Sequence, residues 1–249
     1  MVNLLYCEFL KLKRSNMLLI SLLGALVAPA LMFANGVRSH YTRPDLITVM
    51  GDFYDSCTTY SMLMFGLIVY AVITAYLFSR EYIEDTLKTI LTVPIQKLTF
   101  ITSKFILLFV WILFLTLISW ISIYVFSAIY NAMFGLVEFG IAVAIKYLFK
   151  MILGGILMFL TITPIAFLSI WTKGFVAPLI VAATIAMGNV LIYSESLGAL
   201  FPWAASYLLI SGGMVRTGYP NMLAIILIAF VSLFGFLASA VYFNYEDIK

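Results

Sequence analysis

Residues 105–130 read FILLFVWILFLTLISWISIYVFSAIY, with no charge at any position. As a helix this run would extend about 39 Å at 1.5 Å per residue, more than the roughly 30 Å hydrocarbon core of a bilayer. Lipid offers no partner to backbone N–H and C=O groups, so a crossing segment must satisfy them itself, as a helix does. The run is continuous and does not alternate with period two, which argues against a barrel strand. The stretch is read as a membrane-crossing helix, and it sets the terms for the rest of the chain.

Working outward, five further apolar runs occupy 17–35, 56–79, 147–171, 174–193 and 221–243, making six spans with 105–130. Only 147–171 contains a charge, Lys150 near its start, where a long stem can snorkel to the interface. Hydrophobic residues make up 64% of the chain and charged ones 10%, against about 25% charged in a soluble domain. The net charge of +3 gives no basis for nucleic-acid binding. No repeat, low-complexity tract or soluble domain interrupts the pattern. The expected fold is all-α and polytopic, a single membrane domain over 1–249.

Basic residues set the orientation. With the amino end inside, the inner segments hold nine (Lys11, Lys13, Arg14, Arg80, Lys88, Lys97, Lys104, Lys173, Lys249) and the outer ones five (Arg38, Arg43, Lys146, Lys150, Arg216). Both termini are therefore expected in the cytoplasm, with 36–55 and 131–146 outside. The first run contains Ala28-Pro29-Ala30, a cleavage-like sequence, but it is longer than a signal-peptide core and follows Glu8. It is expected to remain as a helix.

Two segments depart from simple spans. In 1–14, Val2, Leu5, Phe9 and Leu12 recur at helical spacing, with Asn3, Glu8, Lys11 and Arg14 elsewhere on the wheel. Such a helix lies in the membrane plane; a plain tail is the alternative. In 195–220, an apolar stretch too short to cross is broken by Pro202 and followed by Gly212, Gly213 and Pro220. It reads as a re-entrant or interfacial hairpin, with Trp203, Tyr207 and Tyr219 at headgroup level, or equally as an outer loop.

The most charged stretch, 80–104, lies between the second and third spans. Its apolar positions Ile83, Leu87, Ile90 and Leu91 recur at helical spacing, and Pro94 ends the pattern. The spacing predicts a short amphipathic helix on the inner surface, shaped to seat in a groove of another protein, with Glu81, Glu84 and Asp85 at its rim. A surface helix without a partner is the plainer alternative.

This segment resembles the signature loop of small six-helix ABC exporter permeases of the ABC-2 type, through Glu81, Thr86, Leu87, Leu91, Pro94, Lys97 and Lys104. The likeness extends over the whole chain and includes Pro202-Trp203; it is greatest to the bacitracin- and lantibiotic-resistance permeases. Many relatives carry Gly where this chain has Asp85, and Arg where it has Lys97. The resemblance implies two permease copies in a bacterial plasma membrane, with two separate ATPase subunits beneath them binding ATP and Mg. It implies that the helix around 82–91 carries force to the spans and that 1–14 is a connecting helix beside it. The coupling residues so implied are Glu81, Ile83, Glu84, Asp85, Thr86, Leu87, Ile90, Leu91, Pro94 and Lys97. The implied cargo is a peptide antibiotic or a lipid-linked antibiotic complex.

The chain contains no GxxxxGK[ST], so it lacks the Gly-rich loop that cradles phosphates, and hydrolysis is expected on a partner. HExxH, GxSxG and CxxC are absent as well, and the two cysteines and single histidine suit no metal site. Asn189, Thr161 and Thr163 lie within spans and are candidates for a substrate path. Interhelical hydrogen bonding is the more ordinary part for such residues. Gly154, Gly155, Ala182 and Ala186 permit close helix contact. Arg38, His40, Arg43, Asp45, Asp52 and Asp55 form a mixed-charge outer loop that is either solvated or a site for anionic headgroups or a pyrophosphate-bearing lipid. An intramembrane enzyme would need facing ionisable groups, which the spans lack. A non-transporting assembly or sensor factor of the same fold is the other alternative.

Overall fold

A computed structural model describes residues 2–43, 47–87 and 96–245. The order is α1 (Val2–Lys13), α2 (Met17–Thr42), α3 (Met50–Tyr60), a π-turn (Ser61–Phe65), α4 (Gly66–Ile83), α5 (Lys97–Phe134), α6 (Ile141–Trp171) and α7 (Val176–Ile192). A 3₁₀ turn (Ser196–Leu200), α8 (Pro202–Ser211), α9 (Met214–Thr217) and α10 (Asn221–Tyr245) follow. Among the described residues the fold is all-α; the one β-type pairing is an isolated bridge between Val49 and Val137.

Among the described residues, five helical stretches are long and apolar enough to cross a membrane: Met17–Thr42, Met50–Ile83, Lys97–Phe134, Ile141–Trp171 and Asn221–Tyr245. The 17 residues of Val176–Ile192 form a sixth, shorter apolar helix, at the lower limit for a span. The chain is thus a multi-pass membrane protein. Span two (Met50–Ile83) and α5 overrun their apolar runs at both ends, and α2, α6 and α10 at one, because backbone hydrogen bonding does not stop where hydropathy falls; α7 stays within its run. The loop expected over 36–55 shrinks accordingly, with α2 reaching Thr42 and α3 starting at Met50.

Leu19, Ile20, Leu23, Val27 and Leu31 point outward from α2, and Ile226, Phe230, Leu233 and Leu237 from α10. In water these stripes would be a liability; in lipid they face their own kind. Polar side chains turn inward and tie helix to helix. Ser119 Oγ donates to the Ala25 carbonyl (3.0 Å), Trp111 Nε1 to Ser21 Oγ (3.2 Å) and Trp120 Nε1 to the Ala144 carbonyl (2.7 Å). Gly235 of α10 sits where a Cβ would lie 2.4 Å from Thr163 Oγ1 and 2.6 Å from the Pro164 nitrogen. That close approach seats α10 against the proline-bearing turn of α6.

At the end remote from α1, Met50 N–H donates to Val137 O and Val137 N–H to Thr48 O, both at 3.1 Å. Lys150 pairs with Asp55, and the Tyr147 hydroxyl donates to the same carboxylate at 2.7 Å. Lys150 thus has a carboxylate partner, supplied by a residue read from sequence as loop but placed inside α3. The segment 195–220 folds as short helices. α8 packs through Ala204, Ala205, Ser206 and Leu208, and Gly212 and Gly218, at φ 74° and 75°, make its turns. Tyr207 of α8 meets Thr59 Oγ1 of α3 at 2.8 Å.

Candidate functional site

The densest chemistry lies at the α1 end of the bundle. Glu8 of α1, Glu81 of α4 and Lys104 of α5 are 3%, 2% and 1% exposed. Lys104 Nζ donates to Glu81 Oε2 (2.7 Å), Glu8 Oε2 (3.2 Å) and the Leu77 carbonyl (2.5 Å). Its ammonium lies 4.9 Å from the centre of the Phe100 ring. Lys11 closes the figure from the other side, reaching Glu8 Oε1 at 2.5 Å and Glu81 Oε1 at 3.2 Å. Two carboxylates and two ammonium groups thus form a neutral ring that joins three elements. Burial works against the charge on Lys11, but its hydrogen bond to Glu8 and the Glu81 charge outweigh this and hold it above its ordinary value.

Arg80 adds a second tie. Its Nη1 donates to the Lys11 carbonyl (3.2 Å) at the end of α1, its Nε to Glu84 (2.9 Å), and it lies over Tyr76. α4 then stops in a Schellman turn. Thr86 N–H reaches the Glu81 carbonyl (3.1 Å) and Asp85 N–H the Tyr82 carbonyl (3.4 Å). Asp85 takes the left-handed position, φ 52°. This is where a glycine fits best, and aspartate is one of the few substitutes that tolerate it.

That turn corrects the reading of one amphipathic helix over 82–91. Ile83 ends α4 and is 54% exposed, while Leu87, past the turn, is 5% exposed and packs in the core cluster with Leu12. The two do not share a stripe, because the left-handed residue between them breaks the helical period. Glu81 lies in the ring and not at a rim. Glu84 and Asp85 are exposed and Thr86 is half-buried. Lys97 opens α5 and donates to the Asn244 carbonyl of α10 at 3.2 Å. Ile90, Leu91 and Pro94 lie outside the described residues. In α1, Leu12 is buried as the wheel suggests, but Phe9 is exposed and Glu8 takes the inner face, since cationic partners wait there.

The candidate path residues are not brought together. Thr161 Oγ1 donates to the carbonyls of Leu157 (3.2 Å) and Met158 (3.1 Å) in its own helix. Thr163 Oγ1 donates to those of Leu160 (3.0 Å) and Ser232 (3.2 Å). Asn189, fully buried, donates Nδ2 to the Leu63 carbonyl in the π-turn at 3.2 Å. None of the three lines the internal cavity among α2, span two, α5 and α6, which measures about 30 Å³, room for one or two waters. Its polar lining is Thr58, Ser61, Tyr70, Thr116 and Ser119, beside Gly24, Gly66, Gly154 and Gly155. These hydroxyls escaped the sequence reading, although Thr58 and Ser61, and Thr116 and Ser119, stand three residues apart on helical faces. The glycines expected to bring helices together also help to shape this space. Among the described residues no group of three or more His, Cys, Asp or Glu side chains converges as a metal site would.

The model of the family described as ABC-2 family transporter protein matches residues 4–189. A bacitracin transport permease protein of Bacillus licheniformis, BCRB, is 36% identical over 205 residues, covering 82% of this chain and 96% of that protein. No solved structure matches the chain.

Proposed function

The chain belongs to the ABC-2 family of transporter proteins, and on that premise we propose that it is the permease subunit of an ATP-driven exporter that clears a peptide antibiotic or a lipid-linked antibiotic complex. The observation that carries the substrate class is the 36% identity to a bacitracin transport permease over nearly the whole of that relative. With no phosphate-cradling loop in the sequence, ATP and Mg belong to a separate ATPase. Two copies of it serve two copies of this permease in the plasma membrane of a bacterium, with both termini cytoplasmic.

In this reading the ATPase grips the exposed surface around Ile83, Glu84 and Asp85 together with the segment through Ile90, Leu91 and Pro94. The charged ring lies directly behind that surface. Because Glu8, Glu81 and Lys104 come from three different elements, a push on the end of α4 reaches α1 and α5 through buried ion pairs, with no soft side chain between.

The test is co-expression with candidate ABC ATPases, followed by isolation of the complex in mild detergent and measurement of hydrolysis with and without bacitracin. A two-plus-two complex whose hydrolysis rises with the antibiotic, and which raises the tolerated dose in cells, is expected. A permease that holds its ATPase yet leaves tolerance and hydrolysis unmoved by any peptide antibiotic would instead be an assembly or sensor factor.

A further inference from the structure

Span two is not one α-helix. Between α3 and α4 the π-turn Ser61–Phe65 holds one residue more than an α-turn would, and the Gly66 N–H reaches back to the Ser61 carbonyl. A Cβ at Gly66 would lie 2.4 Å from that oxygen, so only glycine fits there. On one side the turn is pinned by Asn189, whose Nδ2 donates to the Leu63 carbonyl. That carbonyl demands a donor, which fixes the orientation of the amide. Oδ1 is left buried, without a hydrogen-bond partner among the described residues. The other buried residues of α7 are Pro178, Ala182 and Ala186. On the other side the turn borders the internal cavity, which Ser61, Met62 and Gly66 help to line.

The two halves of span two are anchored separately. The upper half is held through Asp55 to Lys150 and Thr59 to Tyr207, the lower half through Glu81 in the charged ring. A side chain chosen only to fill the site at 189 would be apolar and would bury no unsatisfied acceptor. We propose that Asn189 is a positioning residue for transport: its carboxamide holds span two in the π-turned register, and its release lets residues 61–65 close into α-helix. Removing one residue's worth of slack turns one half against the other by about 100°, with a shift of about 1.5 Å. The joint would convert movement of the ring into rotation of the upper half. This inference rests on the exporter reading above.

The native Cys57, buried on α3 one turn before the joint, reports the register. In full-length protein with Cys7→Ser, N-ethylmaleimide should alkylate Cys57 slowly at rest. In Asn189→Leu the rate should rise at least tenfold, and Asn189→Gln, which keeps the donor, should restore much of the wild-type rate. With the partner ATPase, Asn189→Leu should lower the maximal transport rate several-fold at unchanged KM. A second variant deletes Met64, removing the extra residue while both halves keep their faces; it should insert and hold its ATPase but lose transport. The proposal is overturned if Asn189→Leu leaves Cys57 alkylation at the wild-type rate, or if the Met64 deletion transports normally. Failure of the exporter reading would show differently, as a wild-type chain that stimulates no hydrolysis, and the resting alkylation rates would still decide the role of Asn189.

Discussion

Lys104 is the residue on which the amino-terminal end of the bundle turns. Its ammonium answers two carboxylates and a carbonyl in a site closed to solvent. Removing it leaves Glu8 and Glu81 to share Lys11 alone, with one buried negative charge uncompensated, at about 3–5 kcal/mol for a broken buried pair. Lys104→Met should therefore lose that order of stability, seen as a large drop in the temperature of aggregation in detergent. Lys11→Met should lose much less, because the Lys11 side chain is 32% exposed and water takes over part of its work, bringing it toward the roughly 0–1 kcal/mol of surface pairs. Equal loss from the two variants would mean that the ring is not held chiefly through Lys104. Little of this was legible beforehand. Glu8 and Lys11 stand three apart and suggest a helical pair, but Glu81 and Lys104 lie far along the chain, and charges between apolar runs read as loop. The apolar pattern of Leu5, Phe9 and Leu12 pointed to an apolar inner face that Glu8 in fact shares.

At the scale of elements, the apolar runs located every long helix, because hydropathy over some twenty residues is a strong signal. Ends were less legible, since helices continue past the apolar stretch wherever the backbone can. The π-turn left no mark in hydropathy at all; Gly66 is its sole local trace, and the Asn189 that pins it is far away in sequence. The coupling segment was half legible. Its charge set it apart from the spans, while the break at Asp85 was visible only as an aspartate where relatives carry glycine. The break changes the choice of probe. Leu87→Asp would place a charge in the permease core and unsettle the fold. Ile83→Asp changes a side chain already in solvent. Burying an isoleucine is worth roughly 1.5–3 kcal/mol, and each tenfold in affinity about 1.4 kcal/mol. Ile83→Asp should therefore insert and fold normally but bind the ATPase at least tenfold more weakly in a pull-down titration. Wild-type affinity would move the docking surface elsewhere.

For the whole molecule, the orientation read from basic residues meets a helical bundle whose two ends differ sharply. One end carries the charged ring and Cys7; the other carries the Val49–Val137 bridge and exposed Glu138. The native protein supplies its own control, with Cys7 exposed and Cys57 buried. In intact cells an impermeant maleimide should leave the wild type unlabelled and should label Glu138→Cys; after permeabilisation Cys7 should react as well. Labelling of Cys7 from outside would invert the topology. The ring also decides how α1 is attached. A helix held only by headgroups is drawn to anionic lipid by forces that fall away over a Debye length of about 8 Å at physiological salt. Glu8 and Lys104 meet where counterions do not reach, their side chains 4% and 2% exposed. Concentrated salt, or a bilayer stripped of anionic lipid, would therefore leave α1 seated, and the segment that resembles a peripheral anchor behaves as a tenon cut into the frame.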